Sequence, residues 1–131
     1  MSSLATNISG VDNTAVGHGA LSANTSASEN TSVGRASLQA NQTGTANVAV
    51  GFKSLNANTA SGNTAVGLRT LLANTTGHSN VAVGCGSLVA NTTGFRNVGV
   101  GLGSLASNTE GEYNVGVGKD AGEATTTGDY N

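Results

Sequence analysis

The stretch that decides the fold is Asn80–Arg96, NVAVGCGSLVANTTGFR, because the rest of the chain repeats it almost end to end. Successive copies begin 17 residues apart, except for one interval of 16 that reflects a one-residue deletion near Ala60. A period of this length predicts a solenoid in which each unit packs on its two neighbours. We call each copy a coil and number its opening asparagine as position 0. The opening asparagines are Asn13, Asn30, Asn47, Asn63, Asn80, Asn97 and Asn114, and Asn131 would open another coil.

Positions 1 to 3 of each coil predict a short β-strand. Position 1 is Thr or Val and position 3 is always Val, so two β-branched residues spaced by two favour a strand with these side chains turned inward. The predicted core valines are Val16, Val33, Val50, Val66, Val83, Val100 and Val117. Position 2 is only Ala, Ser or Gly, which predicts that another backbone or a neighbouring subunit packs closely against it.

A glycine at position 4 predicts a corner, and we expect a second short strand after it. Leucine at position 8 of that strand is the second predicted core column. Its members are Leu21, Leu38, Leu55, Leu71, Leu88 and Leu105. The last coil has Gly122 at this position, so looser packing is expected there.

A second asparagine at position 11 precedes threonine-rich residues and, in most coils, a glycine. Asparagine suits tight turns, and copies stacked one coil apart can hydrogen-bond to each other. We therefore predict structural ladders at positions 0 and 11. Besides the opening asparagines, the ladder residues are Asn24, Asn41, Asn58, Asn74, Asn91 and Asn108.

These columns predict an all-β fold, a parallel β-solenoid of about seven 17-residue coils that occupies residues 1–131 as a single segment. At about 4.8 Å per stacked strand, the coils would form a rod roughly 34 Å long. Leu, Ile, Val and Phe make up only about a fifth of the chain and aromatic residues 3%, so one copy has a thin core and we expect oligomerisation. Because the repeat pattern starts and stops within its own period, we expect a piece of a longer fibrous protein.

Candidate chemical groups are few and scattered through the repeat. His18 and His78 occupy different columns, and Cys85 lies four coils from His18, roughly 19 Å along the rod. A metal site needs convergent ligands, and a nucleophile needs a base beside it. The sequence therefore predicts no catalytic, metal-binding or cofactor-binding residue, and no enzyme activity.

The charge and hydropathy of the chain limit its partners. The net charge of −2 gives no basic surface for nucleic acid, and no apolar run of about 20 residues predicts a membrane span. We therefore expect neither nucleic acid nor the lipid bilayer as a partner.

The runs NTAVG at Asn63–Gly67 and NTTG at Asn91–Gly94 resemble repeats of phage tail-fibre-like and bacterial surface proteins that end in an endosialidase-type chaperone domain. The run NVAVG is similar to the SVAIG unit in the head domains of trimeric autotransporter adhesins. This resemblance covers nearly the whole chain. It implies a left-handed β-roll, a homotrimer, and an extracellular location on a cell surface or a virion.

The first functional hypothesis is a non-catalytic rod, stalk or adhesive segment of a trimeric fibre. Variable corner residues would then contact a cell-surface receptor or glycan, and the aromatic candidates are Phe52, Phe95, Tyr113 and Tyr130. The alternative is an ice-binding solenoid that uses the threonines of position 12. These are Thr25, Thr59, Thr75, Thr92, Thr109 and Thr126, and Gln42 interrupts the column.

Overall fold

The computed structural model describes residues 2–131, in which seven strands form one parallel sheet in sequence order and no helix occurs. The strands are β1 (Thr14–Val16), β2 (Thr31–Val33), β3 (Val48–Val50), β4 (Thr64–Val66), β5 (Val81–Val83), β6 (Val98–Val100) and β7 (Val115–Val117). Partners lie 17 residues apart, or 16 between β3 and β4. The predicted parallel β-solenoid is thus confirmed, with about six turns between the first and last strands.

The strands turn position 2 inward and the valines outward, so the predicted orientation of the valine column is wrong. Ala49, Ala65 and Ala82 are fully buried, whereas Val16 and Val117 are 58% and 70% exposed. None of the seven residues assigned to the core is buried: Val16, Val33, Val50, Val66, Val83, Val100 and Val117.

The narrow interior explains this orientation. A Cβ added at Gly99, on the inner side of β6, would lie 2.6 Å from Ser87 Oγ and 3.3 Å from the Ser104 carbonyl oxygen. Only small side chains fit so close to the opposite wall of the coil, and β-branched residues are equally suited to the outer side of a strand. The backbone that packs against position 2 is therefore the chain's own, not that of a neighbouring subunit.

The position-8 leucines form the core, as predicted, and the six from Leu21 to Leu105 are at most 1% exposed. The second strand predicted around them does not form. These leucines have φ values between +46° and +51°, so the chain turns at each of them instead of extending. The left-handed conformation costs about 1–2 kcal/mol for an L-residue. Burying a leucine side chain contributes about 1.5–3 kcal/mol, which offsets that cost.

The position-4 glycines form the predicted corner where each strand ends. Gly51 has φ +129°, and a Cβ there would lie 2.3 Å from the Gly67 carbonyl oxygen of the next coil. Stacked coils therefore approach too closely at this corner for any side chain. The corner also separates the strand, whose valines point outward, from the turns that carry the core leucines.

Candidate interaction surfaces

The opening asparagines form a continuous ladder, which is buried from Asn30 to Asn114. From Asn30 to Asn131, the backbone N–H of each one donates to the Oδ1 of the asparagine one coil earlier. Asn80, for example, donates its N–H to Asn63 Oδ1 over 3.0 Å and its Nδ2 to the Gly94 carbonyl over 2.9 Å. Buried amides that bond both within and between coils stabilise the stack, and they leave no polar group for a ligand.

The position-11 asparagines form a second ladder, which is interrupted. Asn91 Nδ2 donates to Asn74 Oδ1 over 2.8 Å and to the Gly94 carbonyl over 2.9 Å. Asn24 Oδ1 and Asn108 Oδ1 are buried without a hydrogen-bond partner. For Asn108 the reason is visible in the sequence, because the next coil has Thr125 where an asparagine amide would donate.

The outward side of β1–β7 is an uncharged sheet surface, which we call the strand face. It consists of the residues at positions 1 and 3, which are eleven valines and three threonines. Val115 and Val117 are 61% and 70% exposed, and even in the middle of the sheet Val81 and Val83 are 37% and 36% exposed. A continuous apolar patch of this kind is typical of an interaction site. Sequence reasoning missed it because the valines were assigned to the core.

Charged residues border the strand face on both sides, with opposite net sign. The entry edge is the column of positions 15 and 16, which runs from before β1 to Asp129 and Tyr130 after β7, and it has a net charge of −3. The exit edge, at positions 5 and 6 after each strand, has a net charge of +3. The entry edge carries Asp12, Glu29, Arg96, Glu112 and Asp129, and the exit edge carries Arg35, Lys53, Arg69, Lys119 and Asp120. One ion pair lies within the exit edge, Lys119 Nζ to Asp120 Oδ2 at 3.6 Å.

The four candidate aromatic contact residues lie in two separate places. Phe95, Tyr113 and Tyr130 form one continuous stack with His78 along the entry edge, with successive ring centroids 4.9, 5.6 and 4.9 Å apart. Phe52 lies on the exit edge.

The stacked rings mainly join the coils that carry them. Their spacing is close to the rise of one coil: the His78–Phe95 and Tyr113–Tyr130 pairs stack face to face, and Phe95 meets Tyr113 edge to face at 71°. Arg96 lies over Phe95 and Tyr113, 5.9 and 5.3 Å from the ring centroids, and donates a hydrogen bond to the Tyr113 hydroxyl. Tyr130 ends the stack and is 77% exposed. Receptor contact by these residues stays a prediction.

The threonines of position 12 hold their hydroxyl groups in one orientation. Thr75 Oγ1 donates to the Thr92 carbonyl over 3.1 Å, and Thr92 Oγ1 donates to the Thr109 carbonyl over 3.0 Å. Thr25, Thr59 and Thr109 make the same contact with the following coil. The column is therefore regular, but the hydroxyl protons of these threonines are directed to the protein.

The structure does not bring the candidate chemical groups together. Cys85 is exposed in the same column as His18 but four coils away, and His78 lies in the aromatic stack. No group of three or more His, Cys, Asp or Glu side chains within residues 2–131 could hold a metal ion. A surface groove of about 540 Å³ lies beside Gly122, where the last coil lacks its leucine, and Asp120 and Glu123 line it.

In residues 2–131 no helix is long and apolar enough to cross a membrane. Comparisons with protein-family models, with curated proteins and with solved structures found no match for this chain.

Proposed function

We propose that the chain is a non-catalytic rod segment of a homotrimeric fibre, serving as a stalk or adhesive part outside the cell, on a cell surface or a virion. The observation that carries this proposal is the strand face, which turns valine outward on every one of seven paired strands, buries none of these valines and contains no charged residue. A second copy of the same chain has the same repeat and can match this face along its whole length.

The free energy gained by covering the strand face is large enough for association only when copies pair along most of the rod. Eleven valines lie on the face. Covering the exposed part of each valine contributes at most about 1 kcal/mol, so the face offers on the order of 10 kcal/mol per chain. Association costs about 4–15 kcal/mol in lost freedom of motion. Since gain and cost are similar, stable association requires most of the coils and any further attraction at the borders of the face.

The mechanical role follows from the direction of the backbone hydrogen bonds. They run from coil to coil along the rod, as in Thr31 N–H to the Asn47 carbonyl at 2.8 Å and Thr64 N–H to the Asn80 carbonyl at 2.8 Å. Each coil is thereby tied to both neighbours, which suits a stiff spacer. Residues away from the strand face and its two edges remain free to contact a receptor or a glycan.

The test is the mass in solution of wild type and of the double variant Val66→Lys/Val83→Lys, measured by light scattering. We expect wild type at three times the chain mass of 12.7 kDa and the double variant at one chain mass, because lysines at the centre of the face would be buried without partners. The control is Val89→Lys, which makes the same change at position 9 on another side of the coil and should remain trimeric. A monomeric wild type contradicts the proposal.

Ice binding is the second candidate function. The observation that favours it is the uniform orientation of the position-12 hydroxyls, because a rigid, regular array is what a crystal surface would match. Thermal hysteresis of the purified chain tests it. Activity that is lost in Thr75→Tyr but kept in Val66→Lys/Val83→Lys would favour ice binding over the fibre.

A further inference from the structure

We infer that the entry and exit edges of the strand face select the orientation in which copies associate, and that they favour a parallel ring over an antiparallel pair. This inference rests on the proposed function, because it concerns the same face. The partner is a second copy of this chain, and the recognising chemistry is the opposite net charge of the two edges, −3 and +3.

The apolar part of the face cannot choose an orientation by itself. Valine occupies position 3 of every strand, and position 1 holds only valine or threonine. Turning one copy end over end therefore still places valine against valine. The choice between parallel and antiparallel association therefore depends on groups that attract each other in one arrangement and repel each other in the other.

A parallel ring brings unlike edges together. When copies surround an axis parallel to the rod, the entry edge of one copy lies beside the exit edge of the next, at the height of the same coil. Glu29 and Arg35 border β2, so this arrangement places the Glu29 carboxylate of one copy near the Arg35 guanidinium of its neighbour. At β7 the exit edge has no net charge, because Lys119 pairs with Asp120, so the Glu29–Arg35 contact at β2 is the one that distinguishes the two arrangements.

An antiparallel pair brings like edges together. Two copies that face each other about a two-fold axis perpendicular to the rod place entry edge against entry edge and exit edge against exit edge. The net charges that meet are then −3 with −3 and +3 with +3. Since like charges across an interface oppose association, the same apolar face is disfavoured in this mode.

The charges of Glu29 and Arg35 are available for such contacts. Both residues are exposed, and Arg35 lies 5.8 Å from the Phe52 ring centroid, where its guanidinium remains on the exit edge. Lys53 lies 5.6 Å from the same centroid. Phe52 thus holds two cations on this edge, close to where the entry edge of a neighbour would lie.

The experiment compares four proteins by sedimentation equilibrium at low salt: wild type, Glu29→Lys, Arg35→Glu and the swap Glu29→Lys/Arg35→Glu. We expect each single reversal to raise the dissociation constant about tenfold per interface, because an attraction becomes a repulsion. The swap should recover most of the loss. The matched control is Glu123→Lys, which makes the same charge change at position 9, outside both edges, and should associate as wild type does.

The outcomes separate the inference from the proposed function. A wild type that remains monomeric at every concentration overturns both. A trimeric wild type in which Glu29→Lys behaves as Glu123→Lys does, or in which the swap recovers nothing, overturns the inference alone. Tighter association of Glu29→Lys as a dimer also overturns it, since that result indicates like edges in contact. If the inference holds, the dissociation constants of Glu29→Lys and Glu123→Lys become more similar at high salt, because salt screens the charges of the edges.

Discussion

The coil Asn80–Arg96 and the coil that begins at Asn114 follow the same backbone path but differ in what lies inside them. In the first, Leu88 and Asn91 are fully buried. In the second, Gly122 and Thr125 replace them, and both positions are more exposed. The strand and corner are nevertheless kept, with Gly118 N–H bonded to the Val100 carbonyl at 2.7 Å and Leu105 N–H to the Ala121 carbonyl at 2.8 Å.

This comparison separates two contributions to the fold. The strand and the glycine corner keep their path in a coil that lacks the leucine and the second asparagine and is hydrogen-bonded to the complete coil before it. The position-8 leucines and the position-11 asparagines supply the burial. Where the last coil lacks them, Asn108 Oδ1 has no partner and a groove lies beside Gly122. The last coil also has a coil on one side only, so variants of the inner coil are needed to isolate each contribution.

The largest effect is expected when the inner coil loses its leucine. Leu88→Ala should lower the free energy of unfolding by about 2–5 kcal/mol, because it leaves a cavity in a fully packed column. Val83→Ala removes methyl groups from the strand face, where the side chain is 36% exposed, and should cost less than about 1 kcal/mol in the single chain. Urea unfolding at a protein concentration low enough for single chains to predominate measures both. If Leu88→Ala and Val83→Ala lowered the free energy of unfolding equally, that result would contradict the assignment of leucine to the core and valine to the outside.

The second effect concerns the position-11 ladder. Asn91→Ala should cost about 1–3 kcal/mol, because it leaves Asn74 Oδ1 buried without a donor and removes a bond to the Gly94 carbonyl. Asn108→Ala is the matched variant in the same column. It should cost less, because Asn108 Oδ1 accepts no hydrogen bond, whereas Asn91 Oδ1 accepts one from Asn108 Nδ2. Thermal unfolding followed by circular dichroism compares the two, and a larger loss for Asn108→Ala would refute this account of the ladder.

Much of this organisation could be predicted from the sequence, and the exceptions have physical reasons. The period, the first strand of each coil, the glycine corner and the leucine core follow directly from the columns, whereas the second predicted strand is absent. The columns did not reveal whether the valines of each strand point inward or outward. An alternation by two shows which residues share a side of the strand, but it does not show which side is inside. Gly99 and Gly116 at position 2 were the available signal, since an inner wall that approaches a neighbouring wall excludes larger groups.

Two other features could not be predicted for different reasons. The left-handed turn at leucine is hidden because leucine normally avoids positive φ, and only burial in the finished stack makes it favourable. The aromatic stack changes column between Phe95 at position 15 and Tyr113 at position 16, so column analysis separates residues that are in contact. The charged edges of the face could be recognised only once the face itself was known to be outside.

The smallest effect is a gain in the last coil. Thr125→Asn should raise the free energy of unfolding by about 0.5–1.5 kcal/mol, because the new amide can donate to Asn108 Oδ1 as Asn108 Nδ2 donates to Asn91 Oδ1. In an Asn108→Ala background the gain should disappear. Denaturant unfolding of the four proteins of this cycle measures the coupling, and additive effects would show that the missing donor is not what distinguishes the last coil.

The most direct test of the central claim, that the valines form an outer face covered by other copies, is thiol labelling of Val83→Cys in a Cys85→Ser background. The account predicts rapid labelling in dilute solution, where single chains predominate, and protection as concentration drives association. Thr93→Cys, at an exposed corner, should label rapidly throughout. Protection of Val83→Cys at every concentration down to the monomer would place the valine column inside the coil and contradict the account.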